Sequence, residues 1–169
     1  MLKKREVLQV AYTVHPIPPV FDQHSEILIL GSFPSVKSRE AGFFYGHPQN
    51  RFWKTLAAVY EDGVPATVED KKAFLLRHHV ALWDVIARCD ITGSADSAIK
   101  NVVPNDLTEI LAAAQIRRIF VNGKTAGKYY DRYLLPQTCR EAVCLPSTSP
   151  ANATKNLETL IAEWRALIL

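Results

Sequence analysis

The stretch from Ile27 to Trp53 constrains the fold of this chain more than any other. It opens with four apolar residues, Ile27 to Leu30, a length and composition typical of a strand buried in a parallel sheet. Gly31 ends the run, and Pro34 prevents a central strand from continuing. A long loop rich in serine and aromatic residues follows, before a helix predicted from Arg51 to Tyr60. Because open α/β sheets bind ligands at loops that leave the carboxyl ends of strands, the sequence predicts a binding site here.

Three further apolar runs are predicted to join this strand in one sheet. They are Val80 to Trp83, which ends at Asp84, then Ile116 to Val121, and Ala142 to Leu145. The predicted helices that separate and follow them are Arg51 to Tyr60, Val68 to His78, a helix capped by Asn105 or Asp106 that runs to about Gln115, one that starts at the Asn122–Thr125 turn, and Ala153 to Leu169. Strands that alternate with helices imply right-handed crossovers. We therefore expect an α/β fold, a three-layer sandwich with a central four-stranded parallel sheet flanked by helices, and one cleft at the carboxyl ends of the strands.

One domain is expected, from residue 26 to residue 169, preceded by an N-terminal arm of residues 1–25. Pro16, Pro18 and Pro19 favour extended structure in the arm. Its apolar residues, Val14, Ile17, Val20 and Phe21, are expected to lie across the outside of the core. Residues 91–104 are polar and are predicted to form a loop or a short irregular helix that walls the cleft.

The composition excludes several classes of protein. With 48% hydrophobic and 22% charged residues, the chain has a globular composition, and its net charge of +3 permits nucleic-acid binding without requiring it. No signal-peptide core follows the N-terminal Lys3–Arg5 cluster, and no apolar run is long enough to span a bilayer. Cys89, Cys139 and Cys144 lack the pairing of a disulfide framework, and three thiolates cannot hold a four-cysteine iron–sulfur cluster. We expect a cytoplasmic monomer without metal or cofactor.

Three local patterns resemble known sites but are incomplete. The segment Gly123–Thr125 lacks the first glycine of a P-loop, because Arg118 occupies that position. Ser32 follows a strand, but the G-x-S-x-G surroundings of a serine hydrolase are missing. His78 and His79 are adjacent, so their side chains diverge and a shared metal site is not expected.

Three longer segments resemble the two motifs of the uracil-DNA glycosylase superfamily. GSFPS at residues 31–35 and FFYGHPQNRFW at residues 43–53 resemble its first motif, and LPSTSPANA at residues 145–153 resembles its second motif, a loop that touches the DNA backbone. The mismatch-specific branch has a catalytic Asn in the turn where Phe33 stands here. In this departure the chain is similar to the hypoxanthine-DNA glycosylase group. The resemblance extends from Ser25 to Trp164.

The resemblance implies roles for residues of the first motif. Asn50 is implied to be catalytic, with its side-chain carbonyl orienting water or facing the cationic sugar. Because an amide is not a strong general base, this suits the labile glycosidic bonds of deaminated bases. Tyr45, and in second place Phe44, is expected to stack on a base flipped out of the duplex, with Phe33 beside it. Ser32 is the alternative catalytic residue, and nearby backbone N–H groups are candidates to stabilise charge on the departing base.

Asp84 matches the position where a superfamily Asn reads the edge of uracil. A carboxylate only accepts hydrogen bonds, so it favours hypoxanthine, which has an N1–H donor, over adenine, which has a bare acceptor there. A role for Asp84 in a polar network beside Ser94 or Lys100 stays open. The residues expected to contact the DNA backbone are Ser35, Lys37, Ser38, Lys124, Ser147, Thr148, Ser149 and Asn152.

The sequence therefore predicts a monofunctional DNA glycosylase of base excision repair that releases hypoxanthine from deoxyinosine. Direct hydrolysis without strand cleavage is expected, because no nucleophilic lysine stands at a motif position. One alternative is a glycosylase specific for uracil or for G·T and G·U mismatches. Another, from a different class, is a DNA- or nucleotide-binding module of the same fold without catalytic activity.

Overall fold

The computed structural model describes residues 12–169, and the first eleven residues of the predicted arm lie outside the described part. The strands are β1 (Tyr12–Val14), β2 (Ile27–Gly31), β3 (Val80–Asp84), β4 (Ile86–Asp90), β5 (Lys100–Pro104), β6 (Arg118–Asn122) and β7 (Ala142–Leu145). The helices are α1 (Val36–Ala41), α2 (Phe52–Val59), α3 (Val68–Arg77), α4 (Thr108–Ala113), α5 (Lys124–Tyr129), α6 (Leu135–Thr138) and α7 (Leu157–Trp164). A π-helical turn (Tyr130–Leu134) joins α5 to α6, and 3₁₀ turns occupy Asp96–Ala98 and Arg165–Ile168.

The central sheet has four parallel strands in the order β3-β2-β6-β7. Ile27 lies opposite Val80 on one side and opposite Arg118 on the other, so β2 is an inner strand. Leu28, Ile29 and Leu30 are fully buried, which explains why their run is apolar without alternation. The predicted fold is confirmed.

The core lies on both faces of this sheet. Ile29 points to a cluster that contains Phe52 and Leu56 of α2 and Trp164 of α7. Its neighbours Leu28 and Leu30 point to the opposite cluster, which contains residues of β4, α4 and the π-helical turn. The alternation of side chains along a strand therefore produces the three layers. Among residues 12–169, no helix is long and apolar enough to cross a bilayer.

A second sheet was not predicted. Strands β1, β4 and β5 form a three-stranded antiparallel sheet in the order β1-β4-β5. The prediction of a loop or irregular helix over 91–104 is therefore wrong for its last part, since Lys100–Pro104 is a strand. This strand is half exposed and its pairing with β4 is interrupted by register shifts, so it lacks the apolar run that identified the others.

Two helices also differ from the prediction. Helix α1 lies inside the segment predicted as loop, with Ser35 as its N-cap and Gly42 in the left-handed region at its end. Helix α7 begins after Asn156, whose side chain accepts from Thr159 N–H, rather than at the predicted Ala153. The residue that caps a helix depends on the path of the preceding loop, and the loop before α7 is long and folded upon itself.

The described part of the arm is built into the fold. His15 N–H donates to the Ala87 carbonyl at 2.7 Å, and Val20 pairs with Leu82. Ile17 and Val20 are buried, whereas Val14 is 60% exposed, so the prediction that Val14 covers the core is wrong. Residues 12–20 thus bring the arm to the end of β3, beside Asp84.

Candidate active site

A cleft of about 530 Å³ opens at the carboxyl ends of the parallel strands, a size ordinary for small-molecule sites. The predicted site residues that line it are Ser32, Phe33, Ser35, Ser38, Phe44, Tyr45, Asn50, Asp84, Ser147, Thr148 and Ser149. Lys37, Lys124 and Asn152 lie outside its lining. The cleft therefore gathers both motif segments and the end of β3 in one place.

Asn50 is held in the cleft by its side-chain oxygen. Oδ1 accepts from Phe52 N–H at 2.9 Å, which secures the start of α2, and from Thr148 Oγ1 at 3.0 Å. Two donors saturate a carbonyl oxygen, so the expectation that this carbonyl orients water is corrected. None of residues 12–169 accepts from Asn50 Nδ2, so the group that Asn50 has available is a donor.

A polar network that the sequence analysis missed ties the two motifs together. Asn122, at the end of β6, donates from Nδ2 to Tyr45 Oη at 3.1 Å and to Thr148 Oγ1 at 3.0 Å. Its Oδ1 accepts from Thr148 N–H at 3.1 Å. Because Thr148 is fully buried, its prediction as a DNA contact is corrected to a positioning role. An asparagine that ends an apolar strand was the signal available in the sequence.

Tyr45 stands between this network and β2. Its ring stacks on Phe52 with centroids 4.0 Å apart and an angle of 18°, so one face of the ring is already covered. Burial, and after it the negative charge of Asp84, raises the pKa of Tyr45 far above its ordinary value. The hydroxyl therefore stays protonated, and since it accepts from Asn122 its own hydrogen is available as a donor.

Gly31 allows two polar groups to approach the backbone at the end of β2. A Cβ atom there would lie 2.3 Å from Asp84 Oδ1 and 2.8 Å from Tyr45 Oη. Both distances are shorter than any real contact of a Cβ atom, so a side chain at position 31 would displace both groups. The glycine that ends the apolar run is thus a requirement of the site.

Asp84 is 3% exposed, and its Oδ2 lies 2.7 Å from His15 Nε2. The alternative partners considered for Asp84, Ser94 and Lys100, make no contact with it among the described residues. Instead, the partner of Asp84 is His15 of the arm, which was not predicted as a site residue. Asn105 holds the backbone of the same strand end, because its Nδ2 donates to the Asp84 carbonyl at 2.8 Å.

The two phenylalanines lie on either side of His15. Phe44 is 2% exposed, and its ring lies 6.1 Å from the imidazole. Phe33 meets the imidazole edge-on at 5.9 Å and carries the Arg39 guanidinium over its ring at 5.6 Å. Phe33 therefore packs at the cleft wall, where the mismatch-specific branch has its turn Asn.

The tip of the β4–β5 hairpin forms a further wall of the cleft. Ser32 Oγ donates to Asp96 Oδ1 at 3.2 Å, and Ser94 Oγ accepts from Val36 N–H at 2.8 Å. Arg39 also donates to the Gly93 carbonyl at 3.0 Å. Asp96 was predicted only as part of a polar stretch, yet it places an exposed carboxylate in the cleft beside Ser32.

Most of the predicted backbone-contact serines are engaged within their own loops. Ser35 Oγ caps α1 by accepting from Ser38 N–H, and Ser38 is buried, with Oγ accepting from Gly46 N–H at 3.0 Å. The buried Ser38 is not accessible to a phosphate, so its prediction as a DNA contact is corrected. Lys37 is exposed and lies 3.9 Å from Glu40, and Lys124 is exposed at the start of α5.

The second motif loop is anchored by Arg51. Its guanidinium donates to the carbonyls of Ser149 at 2.9 Å, Asn152 at 3.1 Å and Lys155. Within the loop, Ser147 Oγ accepts from Ser149 N–H, and Asn152 Nδ2 donates to the Ser147 carbonyl. The loop is consequently held rigidly against the start of α2, and Arg51 was known from the sequence only as a motif match.

The described residues contain no cluster of three or more His, Cys, Asp or Glu side chains suited to a metal ion. The three cysteines are free, with Cys89 buried and Cys139 and Cys144 exposed.

Comparison with known proteins agrees with this geometry. The family model of the uracil DNA glycosylase superfamily matches residues 18–168. A hypoxanthine DNA glycosylase from Methanosarcina acetivorans is 36% identical over 154 residues, which are 89% of this chain and 94% of that protein. One from Methanosarcina barkeri is 33% identical over 149 residues, which are 87% of this chain and 92% of that protein.

A solved structure is also similar. The solution NMR structure of a candidate uracil DNA glycosylase from Methanosarcina acetivorans superposes with a TM-score of 0.76 at 34% identity, covering 93% of this chain and all of that one. The family predicted from the two motif segments is confirmed. The chain belongs to the uracil DNA glycosylase superfamily and is therefore an enzyme of the DNA glycosylase class, a hydrolase of N-glycosyl bonds.

Proposed function

We propose that this enzyme is a monofunctional DNA glycosylase that releases hypoxanthine from deoxyinosine in DNA, as a step of base excision repair. The observation that carries the proposal is the position of Asp84, whose Oδ1 lies at the end of β2 inside the cleft while Oδ2 is held by His15. The names of the two Methanosarcina relatives support the same base.

Recognition of the base rests on the polarity of its edge. Asp84 Oδ1 is an acceptor, and hypoxanthine offers N1–H where adenine offers a bare nitrogen. The Tyr45 hydroxyl, protonated and beside Asp84, is a donor for a carbonyl oxygen such as O6. An acceptor next to a donor is complementary to the N1–H and O6 edge and mismatched to the edge of adenine.

Aromatic rings line the cleft beside this pair of groups. Phe52 covers one ring face of Tyr45 and leaves the other for a base, and Phe44 and Phe33 line the same cleft. Stacking of a flipped base on such a surface contributes about 1–3 kcal/mol. In this proposal the three rings hold the base and the polar pair selects it.

The sugar and the attacking water lie on the side of Asn50, Ser32 and Asp96. Water attacks C1′ as the bond to the base breaks, and the bonding electrons leave with the base. Asp96 accepts a proton from the water, Ser32 orients the carboxylate, and Asn50 Nδ2 donates to the substrate. None of the described residues that line the cleft is a lysine, which supports hydrolysis over a Schiff-base route with strand cleavage.

Duplex DNA is proposed to lie across the mouth of the cleft. Lys37 and Lys124 are exposed cations suited to phosphate contacts, and Ser35, Ser147, Ser149 and Asn152 complete the rim. Arg51 fixes the second motif loop in place, so the rim is preformed.

Uracil is the second candidate base. Its N3–H and adjacent carbonyl offer the same donor and acceptor order to Asp84 and Tyr45, and the solved relative is described as a candidate uracil DNA glycosylase. A binding module without catalytic activity is the remaining alternative. The cleft is roomy enough for a purine, which favours hypoxanthine.

The proposal is tested with duplex and single-stranded oligonucleotides that carry inosine, uracil, xanthine or a G·T mismatch. Each is incubated with the enzyme and then treated with alkali, which cleaves abasic sites. We expect alkali-dependent cleavage at inosine with the highest kcat/KM. Fastest release of uracil contradicts the choice of base, strand breaks without alkali contradict monofunctional hydrolysis, and tight binding without release indicates a binding module.

A further inference from the structure

His15 is one of the most enclosed polar side chains of the arm. Its side chain is 3% exposed and is surrounded by the rings of Phe33, Phe44 and Trp83, with centroids 5.9, 6.1 and 6.3 Å away. Its backbone N–H donates to the Ala87 carbonyl of β4 at 2.7 Å. The imidazole is therefore fixed in position by the packing of the arm on the second sheet.

The hydrogen bonds of the ring determine its tautomer. Ile17 N–H donates to Nδ1 at 3.1 Å, and a backbone N–H can only donate, so Nδ1 carries no hydrogen. Nε2 then carries the hydrogen of a neutral imidazole and donates to Asp84 Oδ2 at 2.7 Å. The pair holds one negative charge, and that charge belongs to the carboxylate.

This arrangement leaves Asp84 with one oxygen for a ligand. Oδ2 is occupied by His15, and rotation of the carboxylate would break that hydrogen bond. Oδ1 stays directed over Gly31 next to the Tyr45 hydroxyl. The acceptor and the donor that face the cleft are thereby kept in a fixed order.

We propose that His15 is a positioning residue for base selection, which keeps Asp84 an anionic acceptor with Oδ1 toward the cleft and so maintains discrimination between hypoxanthine and adenine. This inference rests on the proposed function. A buried carboxylate without a partner favours its neutral form, and a neutral carboxyl group can donate to the bare N1 of adenine. Loss of His15 should therefore relax selection, and more so at low pH.

The other titratable or charged groups that face this pair are few among the described residues. Tyr45 lies beside Asp84 and stays protonated, and Asp96 and His47 line the same cleft. Arg39 lies over the far side of Phe33. Of residues 12–169, His15 alone donates to the Asp84 carboxylate, so its removal is the change to which Asp84 should respond.

The test compares His15→Leu with His15→Gln, whose amide can donate to Asp84 and accept from Ile17 N–H. His24→Leu is the matched control, because His24 is an exposed histidine of the same arm. The ratio of kcat/KM for inosine over adenine is measured from pH 5.5 to 8.5. The ratio of affinities is measured in parallel with 2′-fluoro nucleotides, which bind but resist cleavage.

We expect His15→Leu to lower both ratios by about 10-fold or more, with a larger loss at low pH, because a charge-assisted hydrogen bond is removed. His15→Gln and His24→Leu should keep the wild-type ratios. If His15→Leu is merely less stable and keeps both ratios at every pH, the inference is wrong. If the wild type releases no hypoxanthine, the proposed function fails, and the affinity ratio alone then decides whether His15 sets selection.

Discussion

At the scale of single residues, the site depends on which atom of each side chain is left available. Asn50 and Asp84 each have one group engaged by the protein and one directed to the cleft. The engaged group fixes the orientation of the other before any ligand binds. Such preorganised polar groups contribute most to catalysis when they are held before the substrate arrives.

Substitutions of Asn50 test the roles of its amide oxygen and its amide nitrogen separately. Asn50→Ala should lower kcat by about 10²–10³-fold through loss of a positioned polar group, and should cost about 1 kcal/mol of stability because Phe52 N–H loses its acceptor. Asn50→Asp keeps an acceptor for Phe52 and Thr148 but lacks the donor. It should therefore be as slow as Asn50→Ala while retaining wild-type Tm.

Single-turnover rates and thermal unfolding of the two variants check this prediction. Wild-type or faster turnover in Asn50→Asp would show that an oxygen, rather than Nδ2, is the working atom. Asn101→Ala is a suitable control, since this exposed asparagine lies in β5 outside the lining of the cleft.

At the scale of secondary-structure elements, the β4–β5 hairpin has the clearest consequence for function. Hydrogen bonds of Ser32, Val36 and Arg39 connect its tip to the first motif segment. The tip also places Asp96 in the cleft. The hairpin thus places a carboxylate near the turn in which Phe33 stands instead of the catalytic Asn of the mismatch-specific branch.

Asp96→Asn tests whether the hairpin carries this chemistry. The variant should lower kcat by about 10²-fold, the lower range for loss of a general base, with little change in DNA affinity. Stability should stay within about 0.5 kcal/mol, because Asp96 is exposed. Asp131→Asn, an exposed acid on the π-helical turn, is the control, and equal rates for the two variants would remove Asp96 from the mechanism.

At the scale of the whole molecule, the cleft is assembled from segments that are distant in the chain. His15 and Asp84 are 69 positions apart, Tyr45 and Asn122 are 77 apart, and Asn50 and Thr148 are 98 apart. The parallel sheet brings these segments to one edge, and the exposed cations Lys37 and Lys124 flank that edge. The opposite edge carries the 3₁₀ turn Arg165–Ile168 that follows α7, where Arg118 donates to the Ala166 carbonyl at 2.8 Å.

This polarity supports the proposed orientation of the molecule on DNA. Lys124→Ala should weaken binding to all duplexes by a similar factor and reduce the slope of log K against log salt by about one, as expected for one lost phosphate contact. Arg165→Ala removes an equal charge from the opposite edge and should leave the slope unchanged. Equal effects of both substitutions on the slope would contradict the proposed orientation.

Much of the fold was predictable because local sequence patterns, such as apolar runs, indicate it. The run from Ile27 to Leu30 is apolar throughout because both faces of β2 are covered, and the same holds for Val80–Leu82 and Ile119–Val121. Gly31, Asp84 and Asn122 could be placed at the cleft edge, because each lies at the end of such a run. The motif residues from Tyr45 to Trp53 indicated the family because they are close together in the chain, so their identities and spacing can be read directly from the sequence.

Only the tertiary structure decided how those residues are used. The β5 strand was missed because none of its residues is buried and it has no continuous apolar run, so pairing with β4 rather than burial defines it. Asn50 was predicted from the sequence as a catalytic residue, but the half of its amide that is left for a ligand depends on Thr148, which the second motif loop brings from the far end of the chain. His15 carries no local signal, because an isolated histidine acquires its tautomer and its partner from contacts that form when the arm packs on β4. The sequence by itself therefore determined the sheet, the edge that carries the cleft and the family, whereas hydrogen bonds between distant segments decided which atoms face the substrate.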